Sequence, residues 1–401
     1  MLLNVLDFTD DSGQASLALA LETARDGDRI YLPSSQVYVA PPTGWLITRG
    51  VEIFGDGPDF NAGGTFLKGS GGGDGRLLVI RPSPGSTMGP VYIHDLRLEH
   101  AQHGIECDIA EGTTLKSLRL ARLVVWHMGE APGYPGCGLL LDAGDGTIER
   151  IATFACLTQL NKQYVIKLRN VGQAELMAGG GGTNGVGYVW GGGSCVRVCV
   201  SYAQGDAFDT GADGQIHLDS CGIAHVEAFH FEDIRAKAPV FPWEPAFGCR
   251  FDQCRGAAFF GSNYVSFDST DSGPSIIGFY VPAADGPVTL FPNDFGNING
   301  EYLLRLGGEA PGYSILPQYS GTVGLRGEVA MPSTPNYGLL GIPSVRDPAA
   351  EFNARSGFAL PALLDAPMNP VEGMIYCGLD GVLRVWTENG WRSVSVTPSS
   401  P

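Results

Sequence analysis

Asn4-Val5-Leu6-Asp7-Phe8 and the acidic pair Asp10-Asp11 lead into an apolar run from Ala15 to Ala24. Arg25-Asp26-Gly27-Asp28-Arg29-Ile30-Tyr31-Leu32-Pro33 and Val37-Tyr38 follow. The order reads as short strand, acidic turn, helix, strand, strand. Ser12 can cap the helix, because a serine hydroxyl accepts a bond from an unpaired first-turn N–H. Leu17, Ala20, Leu21 and Ala24 fall at i, i+3, i+4 and i+7 and so share one helical face. Gly27 is placed to stop the helix by turning left-handed. Two architectures accommodate this order. One is an ordinary β-α-β unit. The other is a stack of parallel strands whose open end is covered by the helix, since an uncovered first coil presents unpaired backbone groups.

The rest of the chain favours the stack. Ile93-x-x-Leu96-x-Leu98 recurs as Leu115-x-x-Leu118-x-Leu120, as Ile148-x-x-Ile151 and as Ile223-x-x-Val226-x-Ala228. Recurrence at ~20–50 residues is the mark of a solenoid. Second strands follow the copies, in Gly104–Cys107, Gly138–Leu141, Tyr164–Leu168 and Gly248–Phe251. With strands ~4.8 Å apart, residues 45–300 would hold roughly eight to ten coils. The 58 glycines follow no Gly-X-Y period, which excludes collagen. Gly179–Gly193 lacks the endings of phosphate and dinucleotide loops and reads as a long loop leaving one corner.

The N-terminal order resembles the start of the pectate-lyase-like superfamily of right-handed parallel β-helices, which spans polysaccharide lyases, glycoside hydrolases and phage spikes. A second resemblance lies at the other end. Pro370, Gly373, Met374 and Tyr376, then Leu383, Val385 and Trp386, then Asn389, Gly390 and Trp391 resemble a small module near the C-termini of phage tail-fibre proteins. The expected fold is all-β: a right-handed parallel β-helix with an N-terminal capping helix and a small C-terminal antiparallel β module. The expected divisions are 1–44 (N-terminal segment and helix), 45–300 (β-helix), 301–369 (irregular strands and linker) and 370–401 (C-terminal hairpins).

Charge and composition narrow the function. The chain has 401 residues and a net charge of −17, and no run of Lys or Arg, so duplex nucleic acid is not an expected partner. An acidic surface repels anionic glycans except at local sites. No segment reaches the ~18 consecutive apolar residues of a membrane span, so no membrane insertion is expected. The nine cysteines follow no metal-ligand spacing and read as small core residues of a protein made in a reducing compartment. No basic and apolar leader precedes Asn4, which fits a virion protein assembled in the host cytoplasm better than a secreted enzyme.

Glycoside hydrolysis needs two carboxylates about a sugar bond, ~5–5.5 Å apart for retention or ~6.5–9.5 Å for inversion. The candidates are Asp206, Asp209 and Asp219, with His217 on the Asp219 strand face, and Glu227, which shares a face with His225. Solvated Asp-Gly turns explain the same aspartates. His94, His100 and His103 form a further group. The "N-T-D", "D-D" and "G-H-G" segments of polygalacturonases are missing, as are the calcium aspartates and catalytic arginine of pectate lyases, so no catalytic role is carried over. Cofactors and a metal site are not expected, although acidic turns could offer oxygen ligands to calcium. Sugar rings stack on aromatic faces, and Trp126, Tyr188, Trp190, Tyr202 and Trp243 are the candidate carbohydrate contacts, with Tyr134 and Tyr264 near likely loop positions as well. The resemblances imply a homotrimeric virion spike or tail fibre that meets other virion proteins and bacterial surface polysaccharide, cleaving it slowly or not at all. A secreted polysaccharide lyase or glycosidase and a purely structural virion component are the alternatives.

Overall fold

The computed structural model describes the backbone of residues 1–260 apart from 35, 60–62, 71–74, 130–135, 162–163, 183–186, 205–206, 209–214 and 237–245. Beyond 260 it describes the strands alone. Side chains are described through residue 201, then for 215–229, 249–258 and 392–393. The chain divides into two units, Met1–Asn353 and Ala354–Pro401.

The first unit is a right-handed parallel β-helix. Its strands join into one sheet of 33 strands among the described residues, and the pairings between them are parallel. They form three ladders. The first begins with Leu2–Asn4 on Arg29–Leu32 and then Glu52–Gly55. The second begins with Val37–Val39 on Phe66–Lys68, and the third with Trp45–Ile47 on Arg76–Ile80. Each turn of the chain adds one rung to each ladder.

One apolar column runs inside each ladder. In the first, Leu3, Ile30, Ile53, Ile93, Leu120, Thr153, Leu176, Val198 and Val226 lie in register, all buried. In the third, Trp45, Leu78, Ile105, Leu139, Ile166, Val189, Ile216 and Cys249 do the same. Alternate residues of a strand point to opposite faces, so a parallel stack places like on like. Burying each such side chain is worth about 1.5–3 kcal/mol.

The register corrects the repeat read from the sequence. Ile93 pairs with Leu120, 27 residues on, and Leu96 with Leu123; the copy beginning at Leu115 belongs one step along, opposite Met88 and Ile148. The glycine-rich segment read as a loop is largely strand where it is described, residues 183–186 lying outside the described residues. Gly180–Gly182 and Gly187–Cys199 are rungs of the second and third ladders, the latter running on into the first. The ladders also continue past 300, to Tyr337–Leu340, within the stretch read from sequence as irregular strands and linker.

The helix is Leu17–Thr23, and Leu17, Ala20, Leu21 and Ala24 are all buried, as their spacing predicts. It packs beside the first third-ladder strand and covers the end of the core. Its cap is Ser16, whose Oγ accepts from Leu19 N–H at 3.3 Å; Ser12 instead donates to Asp10 in the acidic turn. The helix stops at Ala24 in an extended conformation, and Gly27, at φ +84, serves the turn beyond. Eight cysteines are described, all free thiols and all buried except Cys195. Among the described residues no helix is long and apolar enough to cross a membrane.

Left-handed residues at the corners are a feature that the sequence pattern does not disclose. Asp95, Arg122, Ala155, Ala178, Val200 and Ala228 have φ of +48 to +57 and occupy the corner between the first and second ladders, one per coil. The N–H of Val200 donates across to the carbonyl of Glu227 in the next coil. The stack thus holds non-glycine residues where they would not go alone, at a cost of about 1 kcal/mol or more each.

In the second unit Ile375–Gly378, Leu383–Thr387 and Gly390–Ser393 pair antiparallel, with Trp386 opposite Trp391. Ala362–Leu363 adds a short parallel strand.

Two expectations follow. Val200 is exposed and β-branched at φ +50, the least suitable type of residue for that conformation. Val200→Asn keeps the backbone bond and relieves the strain, and should raise the melting temperature by about 2 °C in a thermal scan. His103 is buried; burial pushes its imidazole down to about 4, while Nδ1 accepts from Cys137 N–H at 3.1 Å. The folded pKa lies below the unfolded value near 6.5, so the unfolded chain takes up the proton first as pH falls. This contribution is complete above pH 6.5 and is lost between 6.5 and 4. Urea melts at pH 7.5 and 4.5 should show His103→Gln losing about 2.5 kcal/mol less on acidification than the parent.

Candidate functional site

The outer face of the third ladder gathers the densest functional chemistry among the described residues. Inward positions Leu168, Gly191, Leu218 and Phe251 belong to the core side of successive rungs. The residues alternating with them face out. One outward column is Leu140, Lys167, Trp190, His217 and Arg250. The Lys167 ammonium lies 4.7 Å from the Trp190 ring centroid, and His217 meets the same indole edge-on at 6.2 Å. The second column holds Asp142 beside Arg169, and Asp219 beside Asp252.

Between Arg169 and Asp219 the chain supplies a glycine. The register shifts between Leu168 and Val171, so that Gly192 alone opposes Arg169 and Asn170. Such a bulge bends the strand and re-aims its neighbours. Gly191 has φ +114, open to glycine but not to residues with a Cβ, and a Cβ on Gly192 would overlap the Asp219 carbonyl oxygen. The result is a notch one coil deep.

That notch opens into a groove of about 920 Å³ that crosses five coils at the corner between the third and first ladders. Trp190 forms one wall. Arg169, Asn170, Ser194, Ser220, Gln253 and Arg255 supply polar edges, and Asp219 is the one carboxylate on it among the described residues. Asn170, Ser220 and Gln253 are the left-handed residues of this corner, which aims them outward. Asp219 Oδ1 accepts from Ser220 Oγ at 2.9 Å. Asp252, one rung on, is held by Arg250 at 2.7 Å. An aromatic wall with hydroxyl, amide and guanidinium edges is suited to a sugar, which offers an apolar ring face and hydroxyl rims.

Of the residues proposed from sequence, Trp190 and Asp219 therefore meet in one groove. Glu227 does not join them. It ends the first-ladder rung Ile223–Glu227, whose length of ~13 Å exceeds either carboxylate spacing for glycoside hydrolysis. His225 does share its side, with Nε2 3.8 Å from Glu227. But Arg197 bonds Glu227 Oε2 at 2.8 Å and holds its carboxyl below the usual range, while burial lowers the imidazole of His225. A carboxylate so held is poorly placed to keep a general acid's proton, and Glu227 stays a sequence candidate apart from the groove.

Tyr188 is also corrected. It is 1% exposed, its ring packs 5.6 Å from Phe229, and its hydroxyl sits over Gly179, so it offers no face to a ligand. Trp126 is half-buried in the second ladder, and the guanidinium of buried Arg97 covers one face at 4.3 Å. Tyr202 lies on the second ladder too, opposite Gly180 and His230. Asp206, Asp209, Trp243, Tyr134 and Tyr264 lie outside the described residues. No three His, Cys, Asp or Glu side chains among the described residues converge on a metal-sized site.

No protein-family model matches the chain, and no curated protein matches it. Among solved structures it is similar to tailspike protein 3 of bacteriophage CBA120. The identity is 12% and the TM-score 0.32, over 98% of this chain and 68% of that one.

Sequence reading missed Arg169, Asn170, Ser220, Gln253 and Arg255. Their types are ordinary for a surface, and only the register, set by coils of unequal length, brings them to one corner.

Proposed function

We propose that this chain is a virion spike or tail-fibre protein that holds host-surface polysaccharide in the groove at its third corner. The groove carries the reading: Trp190 as a stacking wall beside Asn170, Ser194, Ser220 and Gln253, continued over five coils. Rungs at ~4.8 Å give it a length on the order of 20 Å, enough for several sugar residues. The N-terminal and C-terminal sequence resemblances support the virion setting, with assembly as a homotrimer alongside other virion proteins and action at the bacterial surface. The paired tryptophan strands of the second unit suit an interchain element, since three or four short strands form too small a core to stand alone.

Slow cleavage is the second reading, and one observation favours it. Asp219 lines the groove, and Asp252 pairs with it in register on the next rung, with backbones ~4.8 Å apart. These two carboxylates, Asp252 held by Arg250 at 2.7 Å, join Glu227 as the ones to assay. Asp206 and Asp209 stay with them as sequence candidates.

The test is retention on a panel of purified bacterial capsules and lipopolysaccharides. The parent should bind at least one, and Trp190→Ala should weaken that binding about ten-fold, in line with the ~1–1.5 kcal/mol of an aromatic contact. Binding untouched by Trp190→Ala would move the site elsewhere, and no binding at all would leave a structural virion component. Release of new reducing ends, abolished by Asp219→Asn or Asp252→Asn, would establish cleavage. Assembly is tested separately. A chain ending at Ala366 should lose its oligomer in size-exclusion chromatography with light scattering, and an unchanged trimer would remove the interchain role of the second unit.

A further inference from the structure

The charge along the groove runs against the charge of the chain. The protein carries 42 acidic and 25 basic residues, yet the described residues lining the groove include Arg169 and Arg255 against the carboxylate of Asp219, with Asp252 on the next rung held by Arg250. An anionic polymer repelled elsewhere on the surface would meet a favourable field here. Arg169 has a carboxylate neighbour, Asp142, at 3.3 Å, but the arginine side chain is 54% exposed and such a pair is loosely held. Arg255 is exposed and has no ion-pair partner among the described residues. Guanidinium groups present a planar fork that matches a carboxylate in two parallel bonds.

The order of the charges matters as much as their sum. Along the coils the groove presents Arg169, then the Gly192 notch, then Asp219, then Arg255. The two cations belong to coils three rungs apart, ~14 Å in backbone spacing, with the anion between them. A polymer charged on every sugar would set a carboxylate against Asp219, and like charges brought together at an interface are costly. A neutral sugar at that point would instead lie between the Trp190 wall and an acceptor for its hydroxyl groups.

We propose that the groove takes an acidic heteropolysaccharide in which carboxylate-bearing sugars are separated by neutral ones, with Arg169 and Arg255 holding the acids and Asp219 facing a neutral residue. The proposal rests on the reading of the groove as a glycan site. The probes are hyaluronan, with an acid on alternate sugars, polygalacturonate, with an acid on every sugar, and neutral dextran. Binding to the full-length protein is measured by calorimetry at 50 and 300 mM NaCl.

Hyaluronan should bind at least ten-fold more tightly than the other two, and salt should weaken it. Arg169→Gln and Arg255→Gln should each lower that affinity about ten-fold without altering the melting temperature, because both side chains are exposed. Asp219→Asn should improve polygalacturonate binding. Equal or better binding of polygalacturonate or dextran by the parent, or arginine variants that bind hyaluronan normally, would overturn the proposal. So would failure to bind all three probes. In each of these cases the glycan reading still stands if a capsule or lipopolysaccharide from the panel is held in a Trp190-dependent way, and falls with it if none is.

Discussion

Everything in the first unit depends on the in-register stacking of parallel strands. Each rung satisfies its backbone groups on the coil before and the coil after, so the ladders define the position of every side chain, inward or outward. The inner columns then bury like on like, from Leu3 to Cys249. The outer columns bring together residues far apart in sequence, as with Asp142 and Arg169 or Trp190 and His217. The same constraint holds the left-handed corner residues in place. A lone valine would not adopt φ +50, but between Ala178 and Ala228 in its column Val200 has no other course.

The groove is a local interruption of that regularity. Three glycines, Gly191–Gly193, let one coil sink below its neighbours, and the bulge opposite them turns Arg169 and Asn170 toward the space. The core beneath is continuous, since Val189 and Ile216 keep their places in the third column. The polar side chains of the groove thus stand on rungs whose packing does not depend on them, an arrangement that holds them in place in advance.

The fold was legible because its decisive signals are local. The helix face of Leu17, Ala20, Leu21 and Ala24 and the strands around Ile30 and Tyr38 can be read within a forty-residue window. The register was not legible, because consecutive coils differ in length and the apolar pattern repeats within a rung as well as between rungs. That is why Leu115 reads as the partner of Ile93 although Leu120 holds the position. The site was half legible. Residue type marked Trp190 and Asp219, but type alone could not separate Trp190 from Tyr188, two residues earlier on the same strand and wholly inside. Nor could spacing reveal that Arg197, 30 residues away, neutralises Glu227.

Unequal coil length has a consequence for how such a chain can vary. The step from Leu176 to Val198 takes 22 residues and the step from Ile53 to Ile93 takes 40, yet both close on the same column. Loop-closure entropy grows only with the logarithm of length, so the longer excursion costs about 0.5 kcal/mol more. New segments can therefore be spliced into the corners, lengthened or exchanged with little effect on the stability of the body that carries them. A molecule built this way can change what it touches far more cheaply than it can change what it is.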